Sequence, residues 1–191
     1  YCPNPKEIIV NKISKDEVVL SSKSLSAAGG QIISEGSIEL KIKKGDESRI
    51  FISARASHPT ELGKTILVLI KGIDVESMDS EQSQAKGVQV FNKNKGIRVS
   101  YPSRAATMPL VFLTSPEKEW YVLSKDRKIR RKGFGCFYDH LSHEPVVLLS
   151  HDADMRKIET SIQAPDWVLG YGRKRIDVVK ERCDDLEKYF G

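Results

Sequence analysis

Apolar and polar residues alternate along much of this chain, and a period of two marks strands with one buried and one wet face. Ser37-Ile38-Glu39-Leu40-Lys41-Ile42-Lys43 alternates throughout, and Arg49-Ile50-Phe51-Ile52-Ser53-Ala54 follows the turn residues Lys44-Gly45-Asp46-Glu47. The two form a predicted hairpin. Short strands are expected at 7–10 and 17–20, with the Ser/Ala/Gly-rich stretch 21–30 as a connection. Residues 65–71 read as a more fully buried strand, 74–86 as an exposed polar loop, and 87–91 with 96–100 as a tight hairpin about 92–95.

The densest apolar runs lie in 108–139. Pro109-Leu110-Val111-Phe112-Leu113 and Trp120-Tyr121-Val122-Leu123 predict a second hairpin. Arg127-Lys128-Ile129-Arg130-Arg131-Lys132 then leads to the strand chemistry of Gly133-Phe134-Gly135-Cys136-Phe137-Tyr138, so the expectation is a meander carrying a basic connection. Strands are also expected at 145–150 and 157–162. Beyond them the period changes: Ile176, Val179, Cys183, Leu186 and Phe190 fall three and four apart, the apolar stripe of an amphipathic helix. Many short strands followed by one helix predict a mainly β fold, a large two-sheet antiparallel β-sandwich with a C-terminal linker helix. The expected division is a β domain over 1–165 and a helical connector over 166–191.

Composition narrows the function classes. An apolar fraction of 39% and a charged fraction of 30% suit a folded domain. The net charge of +5 is too small to imply nucleic acid without a local patch. No run approaches the roughly 20 apolar residues of a membrane-spanning helix, so no membrane partner is expected. Three widely spaced cysteines argue against a disulfide framework and leave the compartment open. The chain does not begin with Met and is expected to be a piece of something longer.

Candidate chemistry is sparse. His140, His143 and His151, with Asp139, Glu144 and Asp152 nearby, would suit zinc if they converged, but on a loop without a Cys pair they read as solvated turn residues. No metal or cofactor is expected. Gly63-Lys64-Thr65 lacks the earlier glycine of a phosphate loop, Gly170-Tyr171-Gly172 lacks the third glycine of a dinucleotide fingerprint, and Asp152-Ala153-Asp154-Met155-Arg156 lacks the remaining ligands of a calcium loop. Ser150-His151-Asp152 has the letters of a catalytic relay, but consecutive strand residues point to opposite faces. The run 127–132 reads as a solvated loop or a carboxylate-binding corner, with nucleic acid or another acidic partner as the alternative.

The segments Gly87-Val88-Gln89-Val90-Phe91, Tyr101-Pro102-Ser103 with Met108-Pro109-Leu110, Trp120-Tyr121-Val122-Leu123-Ser124-Lys125-Asp126, and the closing helix to Tyr189-Phe190-Gly191 carry a resemblance. Over 40–191 the chain resembles the N-terminal β-sandwich domain of multidomain glycoside hydrolases with an α-galactosidase-like or α-glucosidase-like barrel. The resemblance implies a non-catalytic module that packs on a following catalytic domain and lends shape to its sugar pocket. It brings no catalytic carboxylate, because those lie in the barrel. If sugar is bound, Trp120 and Trp167 are expected to stack on pyranose faces, and Asp126 or Arg131 to bind hydroxyls.

Overall fold

The computed structural model describes residues 1–46, 48–60, 65–80, 89–90, 96–103, 106–153 and 160–190. In chain order their strands are β1 (Cys2–Pro3), β2 (Ile9–Ser14), β3 (Glu17–Ala27), β4 (Ile32–Lys44), β5 (Arg49–Ser57), β6 (Thr65–Lys71) and β7 (Ser77–Ser80). They continue with β8 (Gln89–Val90), β9 (Ile97–Tyr101), β10 (Leu110–Thr114), β11 (Glu119–Ser124), β12 (Lys132–Asp139), β13 (Glu144–Asp152) and β14 (Ser161–Tyr171). Helix α1 (Arg175–Phe190) follows. The strands pair antiparallel in two sheets: a ten-stranded one in the order β1-β3-β4-β5-β14-β11-β10-β7-β8 with β2 also on β3, and a four-stranded one in the order β6-β13-β12-β9. The chain is a mainly β, two-sheet antiparallel sandwich with one C-terminal helix, as its alternation predicts.

The period of two decides which side chains meet. Ile52 and Ala54 of β5, Val111 and Leu113 of β10, Val122 of β11, and Trp167 and Leu169 of β14 face the smaller sheet. There they pack with Ile66 of β6, Val147 and Leu149 of β13, Phe134 and Cys136 of β12, and Ile97 and Val99 of β9. The opposite face of the large sheet presents Leu110, Phe112, Tyr121, Leu123 and Val168, which pack with Val178 of α1. Covered on both faces, the central strands read as continuous apolar runs rather than alternations.

Strand β14 keeps its inter-sheet face apolar along its length by means of a bulge. Its register against β5 shifts between Ala164 and Trp167, so Ile162 and Ala164 before the shift and Trp167 and Leu169 after it all enter the inter-sheet core. Pro165, which has no N–H for the ladder, and Asp166 occupy the irregularity. The Asp166 carbonyl accepts from the Lys125 N–H at 2.8 Å.

Several sequence expectations change. β11 and β12 lie in different sheets, so residues 125–131 cross the sandwich edge instead of closing a meander. β8 pairs with β7 and β9 with β12, so they do not form the expected hairpin; residues 91–95 between them lie outside the described residues. Within the predicted exposed loop 74–86, β7 is a paired strand with Met78, Asp79 and Ser80 buried, while 81–86 lie outside the described residues. β3 runs on to Ala27 through most of the predicted connection. β6 is an edge strand with Leu67 and Leu69 turned outward. Residues 166–171, grouped in sequence with the connector, are the second half of β14. Of the predicted strand 157–162, residues 157–159 lie outside the described residues and β14 begins at Ser161; Gly63, Lys64, Asp154 and Gly191 are also outside.

The helix is turned from its predicted seat. Its buried residues are Val178 and Arg182, whereas Ile176 is 56% exposed and Phe190 68% exposed, and Cys183 is exposed as well. Polar pairing sets this rotation. Arg175 reaches Asp79 at 3.0 Å and Glu119 at 2.5 Å, and Glu181 accepts from Arg49 at 2.9 Å and from Arg173.

Candidate functional site

The crossing segment places a buried charged group at the sandwich edge. β11 ends at Ser124, whose hydroxyl accepts from the Asp126 N–H at 3.3 Å. Asp126 then accepts from the Lys128 N–H at 3.0 Å, which folds the segment back toward β12. Lys132 opens β12 with its Nζ 2.9 Å from Asp126 Oδ2 and donates to the Lys128 carbonyl at 2.6 Å. Its ladder partner is His151, whose Nδ1 lies 3.8 Å from the same carboxylate. From α1, Arg182 donates to the Asp126 carbonyl at 2.8 Å and to Asp185 at 2.7 Å. Asp185 also accepts from Arg127 at 2.7 Å.

Charge in this group is set by burial and pairing. Burial pushes the Asp126 carboxyl up, but the Lys132 hydrogen bond, the Lys128 N–H and the nearby cations outweigh it and hold Asp126 below the usual carboxylate range. Burial lowers the Lys132 ammonium, with Asp126 offsetting part of the effect. Burial likewise pushes His151 down to about 4, more than Asp126 restores, so its imidazole is neutral near pH 7. The run of cations at 127–132 is therefore largely consumed by the fold: Lys132 and Arg130 face Asp126, Arg127 pairs with Asp185, and Arg131 lies 3.8 Å from Asp152.

Beside this group, on the helix side of the large sheet, lies a groove of about 450 Å³ walled by Lys125, Asp126, Arg127 and Lys128, with Asp185 and Tyr189 of α1 opposite. Phe51 and Asp166 extend it into a second hollow of about 390 Å³, bounded by Lys41, Lys43 and Lys44 of β4. Strand alternation explains the second wall: Lys41 and Lys43 sit opposite Ser53 and Phe51 in the β4–β5 ladder and share their face. Gly45 makes the corner, since a Cβ there would meet the Phe51 ring at 2.6 Å. Phe51 and Asp166, which line both hollows, thus bring an aromatic ring and a carboxylate to the groove, the mixture of apolar surface and polar groups that small polar ligands need.

Of the residues singled out in sequence, Asp126 and His151 meet in the buried corner, and the others do not join them in one site. Trp167 is completely buried in the inter-sheet core and has no face to offer a sugar; the bulge in β14 turned it inward. Trp120 is half-buried against that core and packs on Tyr171 at 5.1 Å, with Lys118 over both rings. Arg131 is exposed beside Asp152, away from the groove. Asp126 lines the groove, but its carboxylate is committed to Lys132. His140 and His143 sit on the β12–β13 turn, His140 against Tyr138, while His151 is buried at the far end of β13. Among the described residues, no three His, Cys, Asp or Glu side chains are grouped to hold a metal. Sequence reasoning missed Phe51, Tyr189, Asp166 and the lysines. The alternating Lys41 and Lys43 were a legible signal, whereas the remaining residues meet only through the tertiary fold.

No family model and no curated protein matches the chain. Among solved structures it is similar to the galactose mutarotase related enzyme from Lactobacillus acidophilus. The TM-score is 0.50, at 8% identity, over 87% of this chain and 71% of that one. The shared feature is the sandwich. At that identity the likeness is one of fold.

Proposed function

We propose that this chain is a non-catalytic β-sandwich module of a carbohydrate-active enzyme, a glycoside hydrolase, which packs against a catalytic domain of the same parent chain and shapes its sugar pocket. The observation that carries this reading is the rotation of α1. Of its apolar stripe, Val179 packs against the cluster beneath the helix and Leu186 is half-buried, but Ile176, Cys183 and Phe190 are exposed, and apolar residues facing outward on an otherwise well-seated helix suit a further packing partner. The carbohydrate part of the reading is supported by the likeness to a mutarotase-related sandwich and by the Phe51–Asp166 groove. Internal pairing of Arg127, Arg130, Arg131 and Lys132, which leaves Lys128 as the run's one cation without an ion pair among the described residues, speaks against the alternative of a basic loop that reads nucleic acid.

Cys183 supplies the test, because it is one of these outward residues. A thiol reagent is expected to label Cys183 quickly in the isolated chain and slowly in the parent protein, with the exposed Cys2 as the internal standard. Equal labelling of Cys183 in both would rule out docking through this face.

A further inference from the structure

Resting on the carbohydrate reading above, we infer that the groove over the outer face of the large sheet binds an acidic oligosaccharide, one whose sugar rings carry carboxylates.

The charge ledger of the walls points to an anion. Lys41 is taken by Glu17 at 2.8 Å, and Arg127 by Asp185. Lys43, Lys44, Lys125 and Lys128 also line the two hollows, and none forms a close ion pair among the described residues; the Lys125 charge acts at longer range on Glu181 and Asp185. Of the lining carboxylates, Asp126 is held by Lys132, and Asp185 by Arg127 and Arg182. Asp166 is the remaining one. Glu17 lies opposite Lys43 in the β3–β4 ladder and moderates that wall without cancelling the excess.

The layout points to sugar rather than polyphosphate. The lysines stand on two walls, one on β4 and one on the crossing segment, with the Phe51 ring between them and Tyr189 at the rim. The Asp166 carboxylate repels either kind of anion, but it accepts hydrogen bonds from hydroxyls, which a sugar ring carries and a bare polyphosphate lacks. The walls are separated by β5 and β14, so the groove spans three strand spacings, about 14 Å. That width suits a short oligomer more than a single ring: an inner ring lies over Phe51 with hydroxyls to Asp166, and carboxylates on its neighbours meet the lysines.

Calorimetric titration of the purified chain with short oligogalacturonates and oligomannuronates, their methyl-esterified counterparts, and single-stranded DNA of similar charge tests the inference. The acidic oligomers are expected to bind, to lose affinity steeply with salt, and to bind about tenfold more tightly than the esters, the effect of a few screened charge contacts. Lys43→Glu combined with Lys128→Glu, both at exposed positions, is expected to weaken that binding about tenfold with an unchanged melting temperature, whereas Lys12→Glu on the remote strand β2 leaves it intact. Equal affinity for acid and ester overturns the acidic specificity and leaves the carbohydrate reading standing. Binding of neither sugar, or tighter binding of DNA, overturns the assignment of this groove to an oligosaccharide. Docking through α1 is judged separately, by the labelling of Cys183.

Discussion

Lys132 Nζ lies 2.9 Å from Asp126 Oδ2, with the two side chains 0% and 4% exposed, where the chain crosses from one sheet to the other. A buried pair of this kind adds little net stability against an apolar alternative, because desolvation offsets the attraction, but removing one partner strands the other charge. Lys132→Met is therefore expected to destabilise the fold by about 3 to 5 kcal/mol. Adding Asp126→Leu should recover part of that loss. Urea unfolding of the single and double variants measures the coupling, and strictly additive losses would show that the pair does not interact.

His151 makes the same corner acid-sensitive. Its folded value near 4 lies below the ordinary 6.5, so between these values the unfolded chain binds more protons than the folded one and stability falls as pH drops. The groups facing it are Asp126, Lys132, Arg130 and Asp152. The full effect is on the order of 3 kcal/mol. Asp126, held below its ordinary 3.8, acts with the same sign but in a more acidic window. His151→Leu should flatten the stability profile across the upper window while leaving the acid limb. A slope that survives the substitution would assign the sensitivity elsewhere.

Gly170 faces Tyr121 across the β11–β14 ladder, and a Cβ there would meet the phenol ring at 2.4 Å. Gly170→Ala must displace Tyr121 from the cluster beneath α1, an overpacking cost of about 1 to 3 kcal/mol. Thermal melting should show the loss, and Tyr121→Leu in the same chain should reduce it. Full stability in Gly170→Ala alone would mean that the ring is free to move aside.

Strand alternation carried the fold class, because Leu40, Ile42, Ile50 and Ile52 pattern a one-sided strand whatever their partners. The 110–113 and 120–123 runs carried the centre of the large sheet for the complementary reason, burial on both faces. Periodicity does not say which sheet a strand joins, so the meander through 127–132 was the natural but mistaken reading of a sheet crossing. Charge was half legible in the same place: of the two readings of that run, a solvated loop or a carboxylate-binding corner, the fold realises the second, with the neighbouring Asp126 and with Asp152 and Asp185 brought from β13 and α1. Trp167 has an aromatic face suited to a sugar, and the bulge at Pro165–Asp166 sends it into the core. The groove draws on β4, β5, β14, the crossing segment and α1, an assembly that local pattern does not encode.

The orientation of α1 gives the sharpest contrast between pattern and packing. By periodicity alone, Ile176 and Phe190 anchor the helix and Arg182 faces water; in the fold, Arg182 is buried with its guanidinium on the Asp126 carbonyl and Asp185, and Val178 enters the apolar cluster. Ile176→Lys and Phe190→Lys should thus change stability by no more than about 0.5 kcal/mol, as exposed sites do. Val178→Ala should cost about 1 to 2 kcal/mol for the lost methyl groups and the space they leave. Arg182→Leu should cost more than its lost charge implies, since it strips a donor from the Asp126 carbonyl and a partner from Asp185. Chemical denaturation of the four variants separates the two orientations. If the lysine substitutions prove costly and Val178→Ala does not, the helix sits on its apolar stripe and the outward face proposed for the catalytic partner disappears with it.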